Sequence, residues 1–198
     1  MTTSFALHIT NQHWLGEREE QARDGCSHGG ISAVIAGTRV TSDKLEYGIS
    51  QSALSLLRTL EQDHTPSDRV NGSYLLCHGC TYPTHFGCPN FGTDWVVRHE
   101  DGTVFLSQPL YVDSVAGDTE FDVQARVTIE HYRREVAAFA ETARSFYFSA
   151  EPRALEEWEQ DLHEQFWAEF DERLEPSRSA RTADDQPDEL EGQEGARE

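Results

Sequence analysis

Asp101-Gly102 stands between two apolar runs, Trp95-Val96-Val97 before it and Val104-Phe105-Leu106 after it. A two-residue connection of this composition accepts positive φ at both positions, which suits the right-handed twist of paired antiparallel strands. The chain is therefore expected to turn back on itself here. Asp94 to His99 reads as one strand, and Val104, Leu106 and Leu110 as its return. Upstream, Phe5, Leu7 and Ile9 alternate with Ala6 and His8, which predicts a first strand. Ile31 to Ala36 predicts a second, ending in the turn chemistry of Gly37-Thr38. A further strand is expected over Phe121 to Val127, and a short helical turn over Glu17 to Ala22.

Three stretches carry helical spacing. Ala53, Leu56, Leu57 and Leu60 share one face, with Ser50 or Ser52 as cap and an end near His64, before Pro66. Ile129, Tyr132, Val136, Phe139, Ala143 and Phe146 step by threes and fours. After Pro152, Leu155, Trp158, Leu162, Phe166 and Phe170 form another stripe, opposite a face rich in glutamate. That last helix either completes the chain's own core or meets a second copy through residues 152–174. Trp167, off the main stripe, keeps the homodimer open. The expected class is α+β: a mostly antiparallel sheet covered by helices, two of them C-terminal. Residues 1–174 are expected to form a single domain. Residues 175–198 hold Leu190 as their one large apolar side chain and are expected to be a disordered acidic tail.

The charge is one-sided. Acidic residues number 36 against 16 basic ones, for a net charge of −20, of which −5 falls in residues 175–198. Such a field repels nucleic acid phosphates and anionic lipid, and suits a basic protein partner. Lys44 is the only lysine, a bias that also fits a GC-rich or salt-loving host, where the acidity would be general rather than aimed at a partner. No apolar window reaches the ~18 residues of a membrane span. The first residues lack a basic region followed by an apolar run, so no signal peptide is expected, and the cytosol is the default compartment.

Three of the four cysteines lie between Leu75 and Cys88, in Leu-Leu-Cys-His-Gly-Cys-Thr-Tyr-Pro-Thr-His-Phe-Gly-Cys. Cys77-X-X-Cys80 turning at Gly79 suits a tetrahedral Zn²⁺ held by thiolates, and Cys88 supplies a third ligand. Cys26, His28, His78 and His85 are candidates for the fourth. Thiolate-rich ligation favours a closed, structural site. The competing reading is reduced thiols with no metal. A thioredoxin-like pair does not fit, because Pro83, Gly87 and Pro89 follow where a helix should begin. Covalent haem attachment does not fit either, since Thr81 stands where histidine is required.

Other constellations carry less. His163-Glu164 lacks the second histidine of a metalloprotease helix, and His131 and Glu135, one turn apart, read as an exposed pair. Asp24-Gly-Cys26-Ser-His28 gathers a carboxylate, a thiol and an imidazole, the raw material of a Cys–His nucleophile. Trp95, Phe105, Tyr111 and Phe91 read as core aromatics or as the lining of a surface. Residues 45–148, through Tyr47-Gly-Ile-Ser50, Leu57-Arg58-Thr59-Leu60, Gly87-Cys88-Pro89 and Asp94-Trp95-Val96-Val97-Arg98-His99, resemble small prokaryotic proteins that combine a short helix, a glycine/cysteine turn, a hairpin and a closing helix. The resemblance transfers no functional residue. Some acidic proteins of this general build act as immunity or inhibitor partners. The expectation is thus a non-enzymatic, acidic partner-binding protein with a structural zinc site. The alternative is an enzyme working at Cys26/His28 or within Cys77–Cys88.

Overall fold

In chain order the elements are β1 (Phe5–Ile9), α1 (Arg18–Gln21), β2 (His28–Gly29), β3 (Ile31–Ile35), β4 (Thr38–Arg39), β5 (Tyr47–Gly48) and α2 (Ile49–Arg58). Then come β6 (Leu76–Cys77), β7 (Phe91–Glu100), β8 (Thr103–Asp113), β9 (Thr119–Glu120), β10 (Ala125–Thr128), α3 (Ile129–Ser149) and α4 (Glu157–Asp184). They are taken from a computed structural model that describes residues 5–70, 73–78 and 90–184. Every strand pairing among them is antiparallel. The fold is α+β, with two helices closing the chain.

The β7–β8 hairpin is the longest pairing, and its turn takes positive φ at both Asp101 (44°) and Gly102 (77°). The sheet runs in the order β10-β8-β7-β6, with β9 also on β8. A second sheet, β1-β3-β4, bends back through a turn of the same kind at Ala36 and Gly37. Val97, Val104, Leu106 and Val127 point from the large sheet into the core, and Phe5, Ile31 and Ile35 from the small one.

β8 is irregular in one place. Asp94 pairs with Leu110 and Val96 with Ser107, so Gln108 and Pro109 together face Trp95. Proline has no N–H for a ladder, and a bulge is where a strand can hold one. Gln108 absorbs the extra residue at φ 52°. The bulge swings β8 so that its two halves take different partners. Residues 103–106 pair with β10, whereas Leu110 and Tyr111 pair with β9. The single strand expected over Phe121 to Val127 is therefore divided, and residues 121–124 cross between the two pairings, tied to β8 where the Phe121 N–H donates to the Pro109 carbonyl at 3.0 Å.

α2 begins one residue after Gly48, without a side-chain cap, and ends at Arg58. Neither Ser50 nor Ser52 caps it, because both lie inside the helix, buried, and bond to other segments. The expected end near His64 also moves, since His64 leaves the helix to form a bridge with Val97. α3 starts where Thr128 accepts the His131 N–H. Tyr132, Val136, Phe139, Ala140 and Ala143 face inward, and the Tyr132 hydroxyl lies 2.8 Å from that of Thr59.

α4 packs against both α2 and α3. This buries a wider arc than one stripe: Phe166, Phe170 and Leu174, and also Trp167, whose ring lies 4.4 Å from that of Tyr147 and 4.8 Å from that of Phe148. The helix continues past the expected tail boundary at 175. Ser177 is buried and Arg178 lies 3.6 Å from Glu141. Residues 185–198 of the expected tail lie outside the described residues. No described helix is long and apolar enough to cross a membrane.

Arg58, in the last turn of α2, grips both oxygens of Glu169 on α4 at 2.8 and 2.6 Å, and Arg173 adds a third bond at 2.8 Å. The Arg58 hydrogen bond leads in lowering the Glu169 carboxyl to about 2, against the cost of partial burial. A depressed carboxyl stabilises the fold above its unfolded value near 4.5, and that contribution fades as pH falls toward about 2. Glu169→Gln is therefore expected to lose stability at neutral pH yet lose less than the wild type on acidification through that window. Urea midpoints at pH 7 and pH 3 measure it, and equal acid sensitivity of the two proteins would refute the assignment.

Candidate functional site

Two constellations are assembled, one around the cysteines and one at the bulge. β5 lies between two segments far apart in sequence. Tyr47 pairs with Gly29 on one side and forms a bridge with His78 on the other. The first turn of α2 ties both segments down. Ser27 accepts the Ile49 N–H at 2.7 Å, and its hydroxyl lies 3.0 Å from that of Ser50. Ser52 accepts the Cys77 N–H at 3.2 Å and lies 3.9 Å from its sulfur.

Cys26 and Cys77 are thus brought to neighbouring positions, both buried and neither in a disulfide. Burial pushes the Cys77 thiol up to about 12, and the Cys26 sulfur adds to the effect. At neutral pH it is a protonated, unreactive thiol. Cys26 Sγ donates to the Ser27 carbonyl at 3.5 Å. His28 is buried and its Nε2 lies 3.4 Å from Asp24. Burial works against an imidazolium there, but the Asp24 hydrogen bond, Cys26 and Glu46 together outweigh it, and His28 sits above its ordinary value. Among the described residues, no three His, Cys, Asp or Glu side chains gather into a group that could hold a metal ion. Cys80, His85 and Cys88 lie outside the described residues.

The second constellation was not anticipated as a site. The bulge and the crossing segment 121–124 open a cleft of about 910 Å³ beside β7 and β8. Phe105 and Arg98, paired across the hairpin, line it, as do Trp95, Ser107 and Phe121. Asp94 and Arg69, both part of its lining, meet there as an ion pair. This volume lies within the range of small-ligand and side-chain pockets.

Asp94 is held rigidly. Val70 donates its N–H to His64 Nδ1 at 3.2 Å, so the ring proton sits on Nε2, which donates to Asp94 Oδ1 at 2.6 Å. The same oxygen accepts the N–H groups of Trp95 at 3.1 Å and Leu75 at 3.3 Å. Oδ2 has no hydrogen bond, although the carboxylate is only 4% exposed. Its nearest cation is Arg69, whose Nε stands 3.6 Å away and also lacks a hydrogen-bond partner. Arg69 is held there by its guanidinium lying 4.6 Å from the centre of the Tyr74 ring. Buried polar atoms are nearly always hydrogen-bonded, so Oδ2, which faces only Arg69 at 3.6 Å, stands out among the groups that line the cleft.

At the mouth, Glu120 and Asp122 are exposed and form no ion pair among the described residues, whereas Arg98 is engaged by Glu100 at 3.1 Å. Asp94 and His64 escaped notice because they are 30 residues apart and meet only through the Val97 bridge. One signal was available in the sequence: Gln108-Pro109 inside an apolar strand points to a bulge, and bulges concentrate beside functional sites.

No family model matches this chain, and no curated protein and no solved structure is significantly similar to it.

Proposed function

We propose that this chain is an acidic protein-binding factor, of immunity or regulatory type, which draws in a basic protein partner through its field and holds it at the Asp94 cleft. The observation that carries this reading is the Asp94 carboxylate among the cleft-lining groups, fixed by three donors at Oδ1 and left without a hydrogen bond at Oδ2, which faces Arg69 at 3.6 Å. A carboxylate so fixed keeps its charge in a set direction and needs only Arg69 to move aside to receive a donor, which favours recognition. The net charge of −20 supplies attraction at longer range.

The test begins with capture of partners on the immobilised protein, followed by affinity measurements with the purified partner. Ser107→Trp puts an indole into the cleft and is expected to weaken binding by at least about ten-fold, or ~1.4 kcal/mol. Added salt is expected to slow association. A partner that binds the filled cleft with unchanged affinity would sink the proposal.

A structural Zn²⁺ is the companion proposal. Cys26 and Cys77 are two buried thiols on neighbouring segments, and the chain spacing offers Cys80 and Cys88, or His85, to complete four ligands. Bound metal would hold the thiols as thiolates against the effect of burial and clamp the two segments together.

A second reading, an enzyme acting through Cys26, draws on the Asp24–His28 contact beside the thiol. It requires a sulfur that alkylates quickly at neutral pH. The 4% exposure of Cys26 favours slow alkylation and the binding role.

A further inference from the structure

We propose that β1 is a docking edge, on which an extended segment of a basic partner protein adds as a further strand in the groove between β1 and α3. The proposal goes beyond the Asp94 reading, because this groove shares no lining residue with that cleft. Among the described strands, β1 pairs with β3 alone. The register shows which of its backbone groups are left over. The Ala33 carbonyl accepts the Val40 N–H on the far side of β3, so the odd-numbered residues of β3 turn their polar groups away from β1. The even-numbered ones bond to β1, where Ser32 stands opposite His8 and Val34 opposite Ala6. Leu7 and Ile9 therefore direct their N–H and C=O groups to the other side. Two contacts agree with this assignment. Thr10 donates its N–H to the Gly30 carbonyl at 2.9 Å, whereas the Phe5 carbonyl accepts from His131 Nε2 on α3 at 2.9 Å.

α3 runs beside that edge without closing it. His131 ties the helix to Phe5 at one end, and Gln12 reaches the Ala143 carbonyl at 3.5 Å at the other. Between the two ties lies a groove of about 550 Å³, lined by Leu7 and Ile9 on one side and by the exposed Ala138 and Thr142 on the other. Larger side chains at those two positions would have covered the edge. Sheets commonly guard an edge with lysine, proline, a bulge or extreme shortness. β1 has five residues in unbroken register, with neither lysine nor proline among them. An open edge of this kind recognises extended peptide: main-chain bonds supply affinity, and alternate side chains supply selectivity. Partner residues opposite Leu7 and Ile9 would turn toward α3, over the small Ala138, and those between them toward solvent beside His8. Charge selects the occupant. Glu135 lines the groove, and Arg134, also on its wall, is turned to His131 Nδ1 at 2.5 Å. The net charge of −20 repels a second copy of the chain and attracts a basic segment.

The full chain is titrated with acetyl-Arg-Val-Lys-Val-Arg-Val-Lys-amide, with the same peptide N-methylated at its valines, and with acetyl-Glu-Val-Glu-Val-Glu-Val-Glu-amide, while NMR follows the backbone amides. In the free chain, the Leu7 and Ile9 amides are expected to exchange with solvent at least about ten-fold faster than those of Ala6 and His8. The basic peptide is expected to slow exchange at Leu7 and Ile9 by about ten-fold and to shift the Ala138 and Thr142 signals. N-methylation removes donors but no charge, and is expected to weaken binding by at least about ten-fold. The glutamate peptide should not bind. Ala138→Trp, at an exposed helical position, fills the groove and should weaken the basic peptide by at least about ten-fold, and Glu135→Gln by about two- to three-fold. Equal binding of the basic and methylated peptides would mean that charge alone attracts them, and would overturn the proposal. So would protection confined to other segments, or no response at Leu7 and Ile9 up to millimolar peptide. A dimer seen by sedimentation and dissociated by Ala138→Trp would make a second copy the occupant, and would overturn the partner assignment.

Discussion

Phe170→Ala is expected to lower the unfolding free energy by about 3–5 kcal/mol, the range for emptying a buried aromatic site. Phe170 is wholly buried, with ring centres 4.8 Å from Trp167 and 6.1 Å from Phe166. Its loss leaves a cavity between α4 and the rest of the core, on a helix whose inward shift is resisted by Arg58 holding Glu169 and by Arg173 reaching Glu61. Guanidinium denaturation of the purified chain measures the effect as a lower midpoint with an unchanged slope. Trp158→Ala is the control. Trp158 is 61% exposed, and its replacement should change stability by less than about 0.5 kcal/mol. Reversed sizes for these two effects would mean that α4 packs on a different face.

The second large effect concerns the cysteines. With one zinc per chain, as proposed, removal of the metal by a strong chelator is expected to lower Tm by about 10 °C or more. Structural zinc sites reach apparent binding energies of ~10–16 kcal/mol, as large as the net stability of a typical domain. In a chain of this size, 1 kcal/mol moves Tm by about 2–4 °C. Cys77→Ala should then contain no zinc, lose the chelator response and start from a lower Tm. Elemental analysis together with native mass measurement reads metal and subunit number at once. Metal-free protein, purified without chelator and with a Tm indifferent to it, would leave Cys26 and Cys77 as packed thiols. Cys77→Ala would then remove only one small buried side chain.

The legible part of this protein was local. Asp101-Gly102 announced a hairpin, and both residues take the positive φ that the twist demands. The three- and four-residue spacing of Tyr132, Val136 and Phe139 announced α3 and its inward face. The C-terminal stripe named Phe166 and Phe170 but left out Trp167, because a stripe describes burial against one neighbour and α4 has two. Serines before an apolar run read as caps, yet Ser50 and Ser52 lie within α2, where they anchor Ser27 and Cys77. That choice depends on what packs against the helix, not on the helix.

By itself the sequence determined the fold class, the hairpin, the inward face of α3 and the strong negative charge, because each follows from neighbours along the chain or from composition. Only the tertiary structure decided that Cys26 comes to Cys77 across β5, and that His64 fixes Asp94 beneath a bulge. Those meetings join residues 51 and 30 positions apart, through strand pairings whose partners no local pattern specifies. The desolvation that makes a carboxylate oxygen without a hydrogen bond significant arises only once those distant segments have closed over it.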